Sequence, residues 1–237
     1  MLRRSGPCAL LALALLLGCS ERPTGDRVLL VGVDAATWDV IRPLMAAGRL
    51  PTFTGLVRQG WSATLESMDP TISPAIWTTI ATGHRPITHG INGFLARGPD
   101  GQSIPVTSNV RLREALWTIA SRYDRRVNVV GWYVTWPAEV VNGVMVSDRF
   151  VDAERGKLVG GAESLSPEHP GVYPAALGAE LEKLFVRADR FIDPYERDFH
   201  RLFKAYPVDA TRTGIAEHLM RERPADLTLV YLWGIDP

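Results

Sequence analysis

Three side chains have the types and the placement to do chemistry together: Ser73, Asp34 and Asp236. Ser73 stands in Asp69-Pro70-Thr71-Ile72-Ser73-Pro74, ahead of the apolar run Ala75–Ala81 that ends at Thr82-Gly83. A hydroxyl residue, then proline, then a terminal glycine is helix punctuation, with Ser73 at the N-cap. A helix N-terminus presents free N–H groups and the positive end of a dipole, so a hydroxyl there sits where an anion is favoured. Taken alone, the stretch reads as an ordinary capped helix; its other reading is a nucleophile. Asp34 closes the apolar run Val28–Val33, and Asp236 follows the strand-like Asp226–Trp233. Each aspartate alone is a common turn or helix-start residue. Two strand-end carboxylates plus a hydroxyl are hard oxygen donors that suit divalent cations.

The elements that must position them follow from patterning. Asp26–Asp34 is apolar without alternation, as in a strand buried on both faces of a parallel sheet. Val127–Trp132, Gly143–Ser147 and Asp226–Trp233 read as further strands, and Ser62–Ser67 as a short one leading towards Ser73. Helical spacing covers 37–47, 50–58, 111–123, 175–186, 194–205 and 210–221, with Leu112, Leu116, Ile119 and Ala120 on one face of the third. His84–Phe94 reads as a loop, and the Gly-, Ser- and Pro-rich 154–174 as a surface excursion. Strands alternating with helices predict an α/β fold, a mostly parallel central sheet with flanking helices. Ligands bind such sheets beyond the carboxyl ends of the strands.

The 237 residues suffice for one sizeable domain, and 46% hydrophobic with 22% charged residues excludes disorder. A formal net charge of zero argues against a nucleic-acid surface. Arg3 and Arg4 precede Leu10–Leu17, an apolar segment too short to span a bilayer. It runs into Leu16-Leu17-Gly18-Cys19, which resembles a bacterial lipobox. The expectation is a signal peptide over 1–18, lipidation at Cys19, a tether over 19–26 and a domain over 27–237. The mature chain, with 24 basic and 26 acidic residues at charge −2, would be anchored to the bacterial envelope on its periplasmic side. Ser20 would direct it to the outer membrane of a Gram-negative source. An ordinary secretory signal is the alternative. The other cysteine, Cys8, lies in the removed segment, so neither a disulfide nor a cysteine metal site is expected.

Val28–Asp34 with Ala35-Ala36-Thr37-Trp38-Asp39, Pro70–Pro74 running to Ala81-Thr82-Gly83, and His89-Gly90-Ile91 together resemble the type I phosphodiesterase/nucleotide pyrophosphatase family of the alkaline phosphatase superfamily. Gly131–Pro137, Asn142–Ser147 and Leu229–Asp236 extend the resemblance to the last residues, with 154–221 poorly matched. The resemblance implies an alkaline-phosphatase-like domain and a metal-dependent hydrolase of phosphodiester or nucleotide-type substrates. It assigns Asp34 to the first metal, Ser73 to the nucleophile and the same metal, and Asp236 to the second metal. The implied cofactors are two divalent ions, zinc by family usage, and the implied partner is a small phosphoester. Metal coordination makes a serine hydroxyl a competent nucleophile, and paired metals steady attacking and leaving oxygens.

Two departures stand out. Phe94 occupies the position of a family asparagine that holds a phosphoryl oxygen, which leaves the substrate open. The family's further histidine ligands and Asp-His pair would lie beyond Pro237. The chain is therefore expected to be the N-terminal part of a longer protein, with an open sheet edge, weak zinc binding, and poor or no turnover of bis-p-nitrophenyl phosphate. The five histidines show no ligand spacing, and His89 is expected to be structural. Trp132 and Trp136 are expected in core or rim packing. Two alternatives are a non-catalytic, lipid-anchored binding or structural protein on the same fold, and a related sulfatase or phosphomonoesterase-type hydrolase. Sulfatases need Cys/Ser-x-Pro-x-Arg; Pro74 directly follows Ser73, and Trp77 stands where the arginine would be, so that reading is weaker.

Overall fold

Five strands form the central sheet of the computed structural model, which describes residues 25–98, 100–151, 171–186 and 200–234. Strands β1 (Val28–Val33), β4 (Val127–Val130), β5 (Gly143–Val146) and β7 (Leu227–Leu232) are parallel, and β6 (Val172–Tyr173) is an antiparallel edge. Their order is β1-β7-β4-β5-β6, while β2 (Leu95–Arg97) and β3 (Ser103–Pro105) form a separate hairpin. Val33 pairs with Leu232, so Asp34 emerges from β1 level with the exit of β7. The mostly parallel sheet expected from the sequence is present.

The unbroken apolar runs have a direct cause. Val127 and Val129 of β4 pack with Trp117, Trp132 and Met145 on one face. On the other face, Val130 packs with Val146, Ile215 and Leu219. Each fully buried aliphatic side chain contributes about 1.5–3 kcal/mol relative to exposure. The helices are α1 (Trp38–Ala46), α2 (Pro51–Gln59), α3 (Ser73–Thr82), α4 (Pro86–His89), α5 (Leu116–Arg122), α6 (Gly178–Glu182) and α7 (His200–Glu222). Buried Asn128 on β4 donates to the carbonyl of Arg223 at 2.9 Å, satisfying an acceptor at the end of α7.

β1 is covered less well. Val28, Leu29 and Val31 are about half exposed, its outer edge is unpaired among the described residues, and α1 and α2 bury no residue fully. One residue of β1 is nonetheless in tight contact with the core. A Cβ added to Gly32 would lie 2.6 Å from the Trp77 ring. Gly32→Ala must displace a buried ring, so a loss of about 1–3 kcal/mol is expected in urea denaturation.

Several sequence expectations are corrected. Ser62–Ser67 forms no strand, because no neighbouring strand offers a ladder there. The helix expected over 111–123 begins at Leu116; Leu112 donates its N–H to the carbonyl of His89 and is largely exposed. Of the helix expected over 175–186, a 3-10 turn and the short α6 form. The helices expected over 194–205 and 210–221 are one element, α7, which continues through Pro207. Burial of Ala205 and Val208 on either side of that proline overrides its helix-breaking tendency. His84–Phe94 contains α4, and the end of the excursion forms β6 beside β5. The rest of the excursion, and residues 194–199, lie outside the described residues.

Candidate active site at the carboxyl edge of the sheet

Ser73 is the first residue of α3, with extended Ile72 as the N-cap, so the sequence reading is one residue out. Its hydroxyl makes no hydrogen bond among the described residues, and Pro74 occupies the first turn. Gly83, at φ 68°, ends the helix in the left-handed conformation that glycine adopts without cost.

Trp77, one turn into α3, fixes this helix to the sheet. Its ring lies against Gly32 and makes edge contacts with Tyr231 (centroids 4.8 Å apart) and Trp132 (5.3 Å). The Trp132 indole N–H donates to the carbonyl of Trp77 at 3.1 Å, which confirms a core role for Trp132. Tyr231 then reaches Asp34. Its hydroxyl donates to Oδ2 at 2.6 Å, and the N–H of Ala35 donates to Oδ1 at 3.1 Å. Burial first, then the bond to Asp34, pushes the Tyr231 phenol upward, so it remains a protonated donor across working pH. Asp34 and the start of α3 are thus held to one edge through a single tyrosine and a single tryptophan.

A cavity of about 500 Å³ opens at Pro74, the residue after Ser73, and is also lined by Phe94, Tyr133, Val134, Arg149 and Tyr231; Ser73 itself is not in its wall. Phe94 therefore fronts the cavity, whereas Asn92 lines a separate depression with Asp69 and Ile72. Val134 is β-branched yet sits at φ 59°, a conformation that costs about 1–3 kcal/mol. Asp148 accepts its N–H at 3.0 Å, and Arg111 donates to its carbonyl at 3.1 Å. Burial pushes the Asp148 carboxyl up. Arg212, only 5% exposed, donates to the carbonyls of Tyr231 and Asp148, both at 3.2 Å. Asp209 accepts the N–H groups of Trp233 (3.2 Å) and Gly234 (2.8 Å), fixing the chain as it leaves β7.

Of the site residues expected from the sequence, Asp34 and Ser73 lie on this edge; Asp236 and Cys19 lie outside the described residues. Asp148 lies two residues past the end of β5, so a carboxylate just beyond a buried strand is a signal for it as well. Tyr231, inside an apolar strand, carried no such signal. Asp34 and Ser73 offer oxygen donors of the kind a divalent cation takes, but not in sufficient number. Among the described residues no group of three or more His, Cys, Asp or Glu could hold a metal.

Two described histidines, His89 and His218, serve other roles. His89 is fully buried; its Nδ1 accepts from the N–H of Ile91, so Nε2 carries the proton and donates to Thr79 Oγ1 at 3.0 Å. His218 pairs with Glu180 at 2.7 Å. Burial lowers the His89 pKa below its ordinary 6.5. The unfolded chain therefore takes a proton that the native state refuses. Stability is fully present above about pH 6.5 and falls as pH drops through the lower native value. Urea midpoints at pH 7.5 and 5.5 should show this loss, and His89→Gln should flatten it.

The family model for type I phosphodiesterase / nucleotide pyrophosphatase matches residues 28–237. The chain belongs to that family. Two solved structures resemble it, both of phosphonoacetate hydrolase from Sinorhizobium meliloti 1021, in complex with phosphonoformate (TM-score 0.54) and with phosphonoacetate (0.52). Each is 18% identical, and the match covers 88% of this chain and 46% of that one. The chain thus spans about half the length of these solved relatives, and the likeness supports the alkaline-phosphatase-like fold. No curated protein is significantly similar in sequence. In this member of the type I phosphodiesterase family, Phe94, more than half exposed, lines the cavity that opens at Pro74.

Proposed function

We propose that the chain is the N-terminal part of a phosphoester hydrolase, with Ser73 as nucleophile and Asp34, Ser73 and Asp236 as donors to two divalent ions, zinc by family usage. The observation that carries this reading is the joint anchoring of Asp34 and α3 by Tyr231 and Trp77. In the proposed reaction Ser73 Oγ forms a bond to phosphorus, the bond from phosphorus to the leaving oxygen breaks, and the leaving group departs as an alcohol or phenol. Water then cleaves the serine ester and returns the hydroxyl. No described carboxylate or imidazole is bonded to Ser73, so the described residues supply no general base for the first step. A bound divalent cation would supply that activation by lowering the hydroxyl pKa and offsetting phosphoryl charge. Pro74 and Phe94 would shield the nucleophile from bulk water, and Tyr231 would hold Asp34 in orientation.

The same proposal includes export and attachment through Cys19; among the described residues no helix is long and apolar enough to cross a membrane. Turnover by this polypeptide is expected to be slow, because the donors present are few. The test is zinc-dependent, chelator-sensitive hydrolysis of bis-p-nitrophenyl phosphate. Zinc-independent hydrolysis would overturn the metal assignment.

A further inference from the structure

Three charged side chains line the cavity that opens at Pro74, and two are already committed. Asp148 holds the N–H of Val134 and lies 3.4 Å from the Thr135 hydroxyl. Arg212 donates to two backbone carbonyls and is buried against Gly131, where a side chain would collide with it. Arg149 differs. Among the described residues its guanidinium makes a single hydrogen bond, to the carbonyl of Val106 at 2.7 Å. It lies 4.7 Å from the centroid of the Trp136 ring, which braces it from one side. A guanidinium has five N–H donors, so among the described residues Arg149 has donors left over for a ligand. The remaining wall is apolar or aromatic, and about 500 Å³ accommodates a group the size of a substituted ring.

We propose that Arg149 is a specificity-determining residue: the cavity takes the organic part of the substrate, an apolar or aromatic group, and Arg149 reads a second acidic group carried on it. This rests on the reading of Ser73 as the point where phosphorus is held, since the cavity opens at Pro74. The planar guanidinium favours a carboxylate or a second phosphate bound through two N–H donors. Phe94 and Tyr133 supply ring faces for an aromatic group.

The test uses non-hydrolysable probes, so it does not depend on turnover. Binding of methylphosphonate, phenylphosphonate and 4-carboxyphenylphosphonate is followed by tryptophan fluorescence for the wild type, Arg149→Gln and Arg149→Lys. The expected order of affinity is carboxyphenyl over phenyl over methyl, each step about five-fold or more. Arg149→Gln should remove the carboxyphenyl advantage with phenylphosphonate unchanged, and Arg149→Lys should restore part of it. Urea midpoints for the variants report whether loss of the Trp136 contact has unfolded the loop. Equal affinity for all three probes would overturn the proposal, as would an equal loss for both aryl probes in folded Arg149→Gln. Ser73→Ala separates the two readings: it should leave probe selectivity intact while removing hydrolysis. Arg149-dependent selectivity in a protein whose hydrolysis ignores Ser73 would keep the pocket assignment and refute the nucleophile.

Discussion

Replacing Ser73 with alanine is expected to lower zinc-dependent hydrolysis of bis-p-nitrophenyl phosphate by about 10³-fold or more, with urea stability changed by no more than about 0.5 kcal/mol. The two halves of this expectation have separate causes. Ile72, not Ser73, is the N-cap of α3, and the Ser73 hydroxyl makes no hydrogen bond among the described residues. Removing its oxygen therefore leaves no helix donor newly unsatisfied. If Ser73 were only helix punctuation, its loss would instead cost about 1 kcal/mol of stability, as lost N-caps do, and leave turnover alone. Steady-state rates and denaturation curves on the same protein decide between these outcomes.

Trp77→Ala is expected to cost about 3–5 kcal/mol, the range for emptying a buried aromatic site. The ring touches three elements at once: Gly32 of β1, Tyr231 of β7 and Trp132 beyond β4. Its removal leaves a cavity between α3 and the sheet, and it frees Tyr231 from one of the faces that hold it against Asp34. Any variant protein that remains folded should therefore also hydrolyse more slowly, although Trp77 itself does no chemistry. Trp61 provides the control. It is fully exposed, so Trp61→Ala should change stability by less than about 0.5 kcal/mol. Urea denaturation of both variants, with near-ultraviolet circular dichroism to follow the aromatic cluster, measures the contrast.

The sequence made the sheet legible because β4, β5 and β7 are buried on two faces and their residues are apolar without alternation. It located Asp34 and the start of α3 for the same reason, since both lie where an apolar run begins or stops. What it could not show was how they meet. Tyr231 lies in the middle of an apolar run, where its hydroxyl is indistinguishable from an ordinary core tyrosine; only the parallel pairing of β1 with β7 brings it to Asp34. Arg149 and Arg212 follow the same logic, being separated by more than sixty residues yet lining one cavity. Local propensity also failed where packing decides. α7 runs through Pro207, and the helix expected from Arg111 is delayed because Arg111 is drawn to Val134 and Glu139 instead.

Phosphorus is expected to be transferred to Ser73. Peptide mapping by mass spectrometry, after incubation with bis-p-nitrophenyl phosphate and zinc and an acid quench, tests it without needing fast turnover. A p-nitrophenylphosphoryl adduct on Ser73 is expected, absent after chelation and absent from Ser73→Ala. Release of p-nitrophenolate with Ser73 unmodified, or an adduct on a different residue, would contradict it.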